Sequence, residues 1–150
     1  MPVAVDVLKS CPLFAGFTDT GLEIISQIAR LRDVPKGMSV FLQGAPGDAL
    51  YIVDEGCIEI VTGLGPSPTI LCTVEKGGHF GELALVRPGN RAVGARARVP
   101  TKVVEIKRAD FNEVLKQKPQ AGMKLMLAIF LAVDKRLEAV KPELLKLAGV

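Results

Sequence analysis

Eleven of the fifteen glycines fall between Gly37 and Gly94, and this clustering constrains the fold more than any other feature of the 150-residue chain. The segments between these glycines are short, apolar and rich in β-branched residues. Met38–Leu42, Ala49–Asp54, Cys57–Thr62, Thr69–Val74, Val93–Ala97 and Lys102–Ile106 all read as strands. Gly44-Ala45-Pro46-Gly47-Asp48, Asp54-Glu55-Gly56, residues 63–68 and Gly77-Gly78 supply the turns between them. Strands so short and so evenly spaced suggest an antiparallel barrel or jelly roll. No alternation of strand and helix of the βαβ kind is present.

Helical patterns flank the β block. Thr18 or Asp19 suits the cap of a helix in which Leu22, Ile25, Ile28 and Ala29 form one apolar stripe. Arg108 to Gln117 reads as a second helix, with Phe111, Val114 and Leu115 on its buried side. Pro119 suits the first turn of a third, longer one that reaches about Val140, before Pro142. Its apolar residues between Met123 and Val133 cover more than one face, so more than one side must be covered. Either it packs on the barrel and on a second copy of itself, or it is wholly internal; the first is preferred. The expected fold is mainly β with flanking helices: an antiparallel β-barrel or double-stranded jelly roll over about 34–107, an N-terminal helix, and C-terminal helices over about 108–140. Residues 1–150 form a single domain in this reading.

With 49% hydrophobic and 23% charged residues, the chain can bury a core, and disorder is excluded. Its longest apolar run, Leu125–Val133, falls far short of the ~20 residues that cross a bilayer. No signal-peptide pattern precedes Asp6. Cys11, Cys57 and Cys72 are odd in number and far apart, fitting neither a disulfide framework nor zinc spacing. They read as buried thiols in a reducing compartment, so a cytoplasmic location is expected. The net charge of +3 hides a split: residues 1–86 carry 5 Lys/Arg against 10 Asp/Glu, and residues 87–150 carry 14 against 6. A basic half suits nucleic acid, an anionic ligand, or simply a surface that divides unevenly.

One stretch, Phe80 to Ala92, is irregular in an informative way. It interrupts the strands with a short helical turn beside Gly81, passes through a Pro88-Gly89-Asn90 bend, and returns to strand at Arg91. The first N–H groups of a helix lack internal partners and carry the positive end of its dipole, so a phosphate can sit against them. Arg91 adds a planar, permanently charged fork that fits phosphate oxygens. Glu82 is acceptor-only at neutral pH and calls for a donor such as a hydroxyl. Together they suit a ligand with a phosphate and a free sugar hydroxyl close together. The competing reading is that Glu82 and Arg91 merely pair with each other on the surface, where such pairs contribute little.

Phe80-Gly81-Glu82-Leu83-Ala84-Leu85, followed five residues later by Arg91-Ala92, resembles the phosphate-binding cassette of the cyclic nucleotide-binding domain family. The type is the effector domain of the catabolite activator protein and of the protein kinase A regulatory subunit. Val34-Pro35-Lys36-Gly37, Val40-Phe41, Gly44, Leu50-Tyr51 and Gly56 stand in the family's spacing, Leu13-Phe14 is similar to its leading segment, and the likeness spans roughly residues 8–140. The resemblance implies that Glu82 accepts from a ribose 2′-hydroxyl and that Arg91 binds an equatorial phosphate oxygen. It also implies that the N–H groups of Leu83, Ala84 and Ala92 complete the phosphate cradle, with Gly81 near the sugar. Ile60 and Leu71 are expected to line the sugar and base. Ala92 stands where cGMP-selective members often place Thr or Ser, which leans towards cAMP over cGMP as the ligand.

What the resemblance implies overall is a stand-alone cyclic nucleotide sensor that passes ligand binding through its C-terminal helix to an effector protein. That helix commonly acts as a lid, and Leu127 and Phe130 are the expected face shared between lid and homodimer. The alternative is a ligand-independent interaction module that only displays this helix. No cofactor is expected. His79, the only histidine, could reach the ligand, but the preferred reading is a turn-exposed residue. One histidine supports neither a cupin-type metal site nor a hydrolase triad, and no Walker-type Gly-Lys-Ser/Thr occurs. The chain is therefore expected not to be an enzyme, with no catalytic residue and no metal. Arg96 and Arg98 share one strand face and read as solvated rather than as contacts to nucleic acid. Ten residues after Val140 are too few for a helix-turn-helix, and no membrane helices precede the domain, so neither DNA binding nor membrane attachment is expected.

Overall fold

Two antiparallel four-stranded sheets carry the glycine-rich middle of the chain in the computed structural model, which describes residues 3–149. The elements run α1 (Val5–Lys9), a 3-10 turn (Pro12–Phe14), α2 (Asp19–Ser26), β1 (Ala29–Val34), β2 (Ser39–Phe41), β3 (Ala49–Glu55), β4 (Cys57–Thr62), β5 (Thr69–Glu75) and β6 (His79–Phe80). They continue through α3 (Leu83–Val86), β7 (Gly94–Ala97), β8 (Thr101–Lys107), α4 (Arg108–Gln117) and α5 (Pro119–Leu147). One sheet has the order β1-β8-β3-β6 and the other β2-β7-β4-β5. This is the expected antiparallel jelly-roll architecture, built as two sheets rather than as one closed barrel.

Alternation along β3 explains why the fold has two cores. Successive side chains on a strand point to opposite faces, and Ala49 through Val53 are all buried. Tyr51 and Val53 face the second sheet, where they meet Ile58, Ile60 and Ala97. Leu50 and Ile52 face the other way and join Val104 and Ile106 under the helices, against Phe111, Leu125 and Ile129. The first sheet is thus covered on both sides, and the second sheet rests on an already buried wall. Burial of each such side chain contributes about 1.5–3 kcal/mol.

Several expectations need correction. Thr18 does cap α2, its side chain accepting from Gly21 N–H at 3.1 Å, but the helix ends at Ser26. Ala29 does not continue a helical stripe; it opens β1, a six-residue ladder with β8. The four central residues of β1 are exposed, so no alternation marks it in the sequence. The long helix does not stop at Val140 but runs through Pro142 to Leu147. Residues 134–149 are exposed, so the carbonyl that Pro142 leaves without its helical donor is met by water. Of the cysteines only Cys11 is buried, and burial pushes its thiol up to about 11. Cys72 is exposed because it lies on β5, the edge of its sheet.

Helix α5 buries only one side, through Ala121, Gly122, Leu125 and Ile129. Met123, Leu127, Phe130 and Leu131 are each more than half exposed, so the helix is not internal to the protomer. Among the described residues, no helix is long and apolar enough to cross a membrane.

Candidate functional site

The irregular segment is shaped by what its ends bury. Phe80 closes β6 by stacking on Tyr51, with ring centroids 5.3 Å apart, and lies 5.9 Å from Phe41. Gly81 then turns the chain with φ of 71°, a left-handed conformation that glycine adopts without penalty. Leu85 buries fully and anchors α3. The return through residues 87–90 is held at Arg91, whose N–H donates to the Ala45 carbonyl at 2.7 Å and whose carbonyl accepts from Gly44 N–H at 2.7 Å.

Arg91 lies in a slot, 8% exposed. Its Nη2 donates to the Ala49 carbonyl at 2.8 Å and its Nη1 to the Gly81 carbonyl at 3.2 Å. The guanidinium carbon sits 4.0 Å from the Phe41 ring centroid, a cation–π contact. A Cβ at Gly81 would stand 2.6 Å from Arg91 Nη1, and one at Gly47 would stand 2.9 Å from its Nε. Arg91 Nε is buried and, among the described residues, has no hydrogen-bond partner. Burial pulls the pKa of Arg91 down from its ordinary value, an effect opposed by Tyr51 and Asp48. A guanidinium nevertheless stays charged, and a buried cation with neutral partners is completed by an anion.

Glu82, 4% exposed, does not pair with Arg91, which overturns the surface-pair reading. Its Oε1 accepts from Arg136 Nη1, across from α5, and Arg136 Nη2 also donates to the His79 carbonyl at 3.3 Å. His79 is not turn-exposed either: its side chain is only 12% exposed, with Nδ1 3.6 Å from Glu82 Oε2. Burial first, and the Arg136 charge second, lower its pKa to about 4. At neutral pH the imidazole is therefore uncharged, and its proximity to Glu82 is not an ion pair.

All six residues named from the sequence (Gly81, Glu82, Leu83, Ala84, Arg91 and Ala92) line one cavity of about 910 Å³. The Ala84 N–H is engaged with the Gly81 carbonyl at 3.2 Å, whereas the N–H groups of Leu83 and Ala92 have no backbone partner outside the regular elements among the described residues. Ile60 lines the cavity as expected, but Leu71 does not; its neighbour Cys72 does. Ile60 pairs with Cys72 across β4 and β5, and a one-residue shift moves a side chain to the opposite face. Of the two arginines expected on a solvated strand face, Arg96 sits 3.3 Å from Glu59, and Arg98 lies just past the end of β7.

Sequence reasoning missed Arg136 and Arg108. Arg108 Nη1 donates to the carbonyls of Gly47 at 2.8 Å and Ala84 at 2.7 Å, tying the start of α4 to both walls of the slot. Neither arginine stands in a motif. The one signal available was that a carboxylate buried at position 82 needs a cation or donor from elsewhere.

The family model described as "Cyclic nucleotide-binding domain" matches residues 31–118. The cyclic AMP receptor protein of Thermus thermophilus is 30% identical over 113 residues, 75% of this chain and 52% of that protein. The chain thus spans about half the length of that relative. Among solved structures, the N-terminal domain of a transcriptional regulator from Streptomyces coelicolor superposes with a TM-score of 0.76 at 28% identity, covering 89% of this chain and 96% of that one. The regulatory domain of Toxoplasma gondii PKA, crystallised with cAMP, superposes with a TM-score of 0.71 at 26% identity, covering 90% of this chain and 48% of that one.

Proposed function

The chain belongs to the cyclic nucleotide-binding domain family, and from that membership we propose that it is a regulatory sensor that binds cAMP in preference to cGMP and reports occupancy through α5. The observation that carries this reading is that Arg91 and Glu82, both more than nine-tenths buried, line a single cavity without pairing to each other. Arg91 would take the cyclic phosphate, with Nε as a free donor and the N–H groups of Leu83 and Ala92 beside it. Gly81 leaves room for the Arg91 guanidinium beside the sugar, Glu82 accepts from its 2′-hydroxyl, and Ile60 with Cys72 forms the apolar side near the base. Ala92 offers no hydroxyl to a guanine amino group, which supports cAMP. No residue in this arrangement is assigned a catalytic role. Calorimetric titration with cAMP and cGMP tests the proposal; absence of heat with both ligands overturns it and leaves the interaction-module reading.

Glu82→Gln is expected to weaken cAMP binding roughly tenfold, the size of one charge-assisted hydrogen bond. Binding of 2′-deoxy-cAMP, which lacks the donor, changes less. Combining the ligand change with the protein change isolates the contact. Strictly additive losses would show that the carboxylate does not read the hydroxyl.

The same carboxylate carries the output. Oε1 holds Arg136 and Oε2 is left for the ligand, so a hydroxyl bound at Glu82 acts on the helix that Arg136 docks. A ligand shifts the position of α5 only in so far as it binds one position better than the other. Hydrogen exchange over residues 123–140 is expected to slow when cAMP is added, and Arg136→Ala is expected to remove most of that difference. Unchanged exchange in the wild-type protein would leave a binder with no output through α5. The apolar face bearing Leu127 and Phe130 is proposed as a homodimer surface, since exposed patches of this kind mark interaction sites; sedimentation decides it, a strict monomer being the contrary result. The effector protein would then read the position of α5.

A further inference from the structure

His79 stands beside the proposed sugar site for a reason of strand geometry. β6 is two residues long and pairs with β3, His79 opposite Ile52 and Phe80 opposite Tyr51. Phe80 points into the core between the sheets, so His79 points to the other face; both residues reach the cavity, His79 from the side of Glu82. Its Nδ1 is buried and, among the described residues, has no hydrogen-bond partner. A buried polar atom without a partner is uncommon in folded proteins and calls for one. Glu82 Oε2 is 3.6 Å away, too far for a hydrogen bond and far enough for an oxygen atom to meet both groups. Glu82 Oε1 is already held by Arg136, which leaves Oε2 as the acceptor on this side.

We propose that His79 is a specificity-determining residue for the ribose: its Nδ1–H and Glu82 Oε2 hold the same ligand hydroxyl, the imidazole donating to its oxygen and the carboxylate accepting its proton. A hydroxyl is the sugar group that satisfies both at once, because it donates and accepts together. The uncharged state of His79 serves this arrangement. A protonated ring would pair with Glu82 directly and close the gap, and burial together with Arg136 keeps the ring neutral at physiological pH.

The inference rests on the cyclic nucleotide reading, and the experiment separates the two. The ratio of dissociation constants for 2′-deoxy-cAMP and cAMP is measured by calorimetry on the full chain in wild type, His79→Ala, His79→Asn and His79→Gln. Wild type is expected to prefer cAMP. His79→Ala narrows the preference about fivefold, the size of one neutral hydrogen bond, by weakening cAMP alone. His79→Asn, whose amide N–H falls near the place of Nδ1–H, keeps most of the preference, while the longer His79→Gln loses it. Equal weakening of both ligands, or an unchanged ratio in His79→Ala and His79→Gln, overturns the inference while leaving the function intact. A wild-type protein that binds neither nucleotide overturns both.

Discussion

Arg91→Ala is expected to lower cAMP affinity by at least about tenfold, since hydrogen bonds to a charged group contribute ~1.5–3 kcal/mol each and 1.4 kcal/mol is a factor of ten. The loss is larger than for an exposed arginine because the slot excludes water. A phosphate entering it without a cation gives up hydration and gains only neutral partners. Arg91→Lys recovers part of the affinity at most. An ammonium cannot hold the Ala49 and Gly81 carbonyls and a phosphate with one planar fork, and it forfeits much of the flat contact with the Phe41 ring. The variants must be folded for the result to count, and far-ultraviolet circular dichroism with a thermal melt establishes that. Unchanged affinity in a folded Arg91→Ala would refute the assignment of the phosphate site.

Gly81→Ala is expected to be nearly as damaging to binding although it removes no contact. The backbone there has φ of 71°, which costs a residue with a Cβ about 1–2 kcal/mol. The new methyl would also stand 2.6 Å from Arg91 Nη1, so the guanidinium must leave its place. Two readouts separate these effects. Stability falls by the backbone strain, a drop in Tm of roughly 2–8 °C for a chain of this size. Affinity falls through Arg91, so Gly81→Ala added to Arg91→Ala weakens binding little further, while its stability cost persists. Fully additive binding losses would mean that Gly81 acts on the ligand independently of Arg91.

The parts of the site that were legible in the sequence are those built from neighbours along the chain. Gly81, Glu82 and Leu83 are consecutive, and Arg91 follows after one bend, so a glycine, a carboxylate, a short helix and a cation within twelve residues already carry the pattern of the proposed anion site with an acceptor beside it. Leu71 shows where such reasoning fails. Counting along β5 could not reveal that Ile60 pairs with Cys72, with the register shifting at the next position, and that pairing alone decides which residue faces the cavity.

The apolar runs and glycine turns determined, without any tertiary information, that this chain is mainly antiparallel β, a barrel or jelly roll, with helices at both ends. The runs between the glycines needed only their own composition and turn residues to become strands, whereas β1, whose four central residues are exposed, was set by its pairing with β8. Tertiary structure alone decided what surrounds Glu82. Arg136 lies fifty-four residues away on α5, and His79 comes beside Glu82 through the pairing of β6 with β3. A strand or a turn is encoded by residues that are close in sequence, and a cassette motif is too. The partners of a buried charge are chosen by desolvation instead, which acts on whatever the fold brings within a few ångströms, and that proximity does not exist until α5 has packed against α4, α2 and the 3-10 turn.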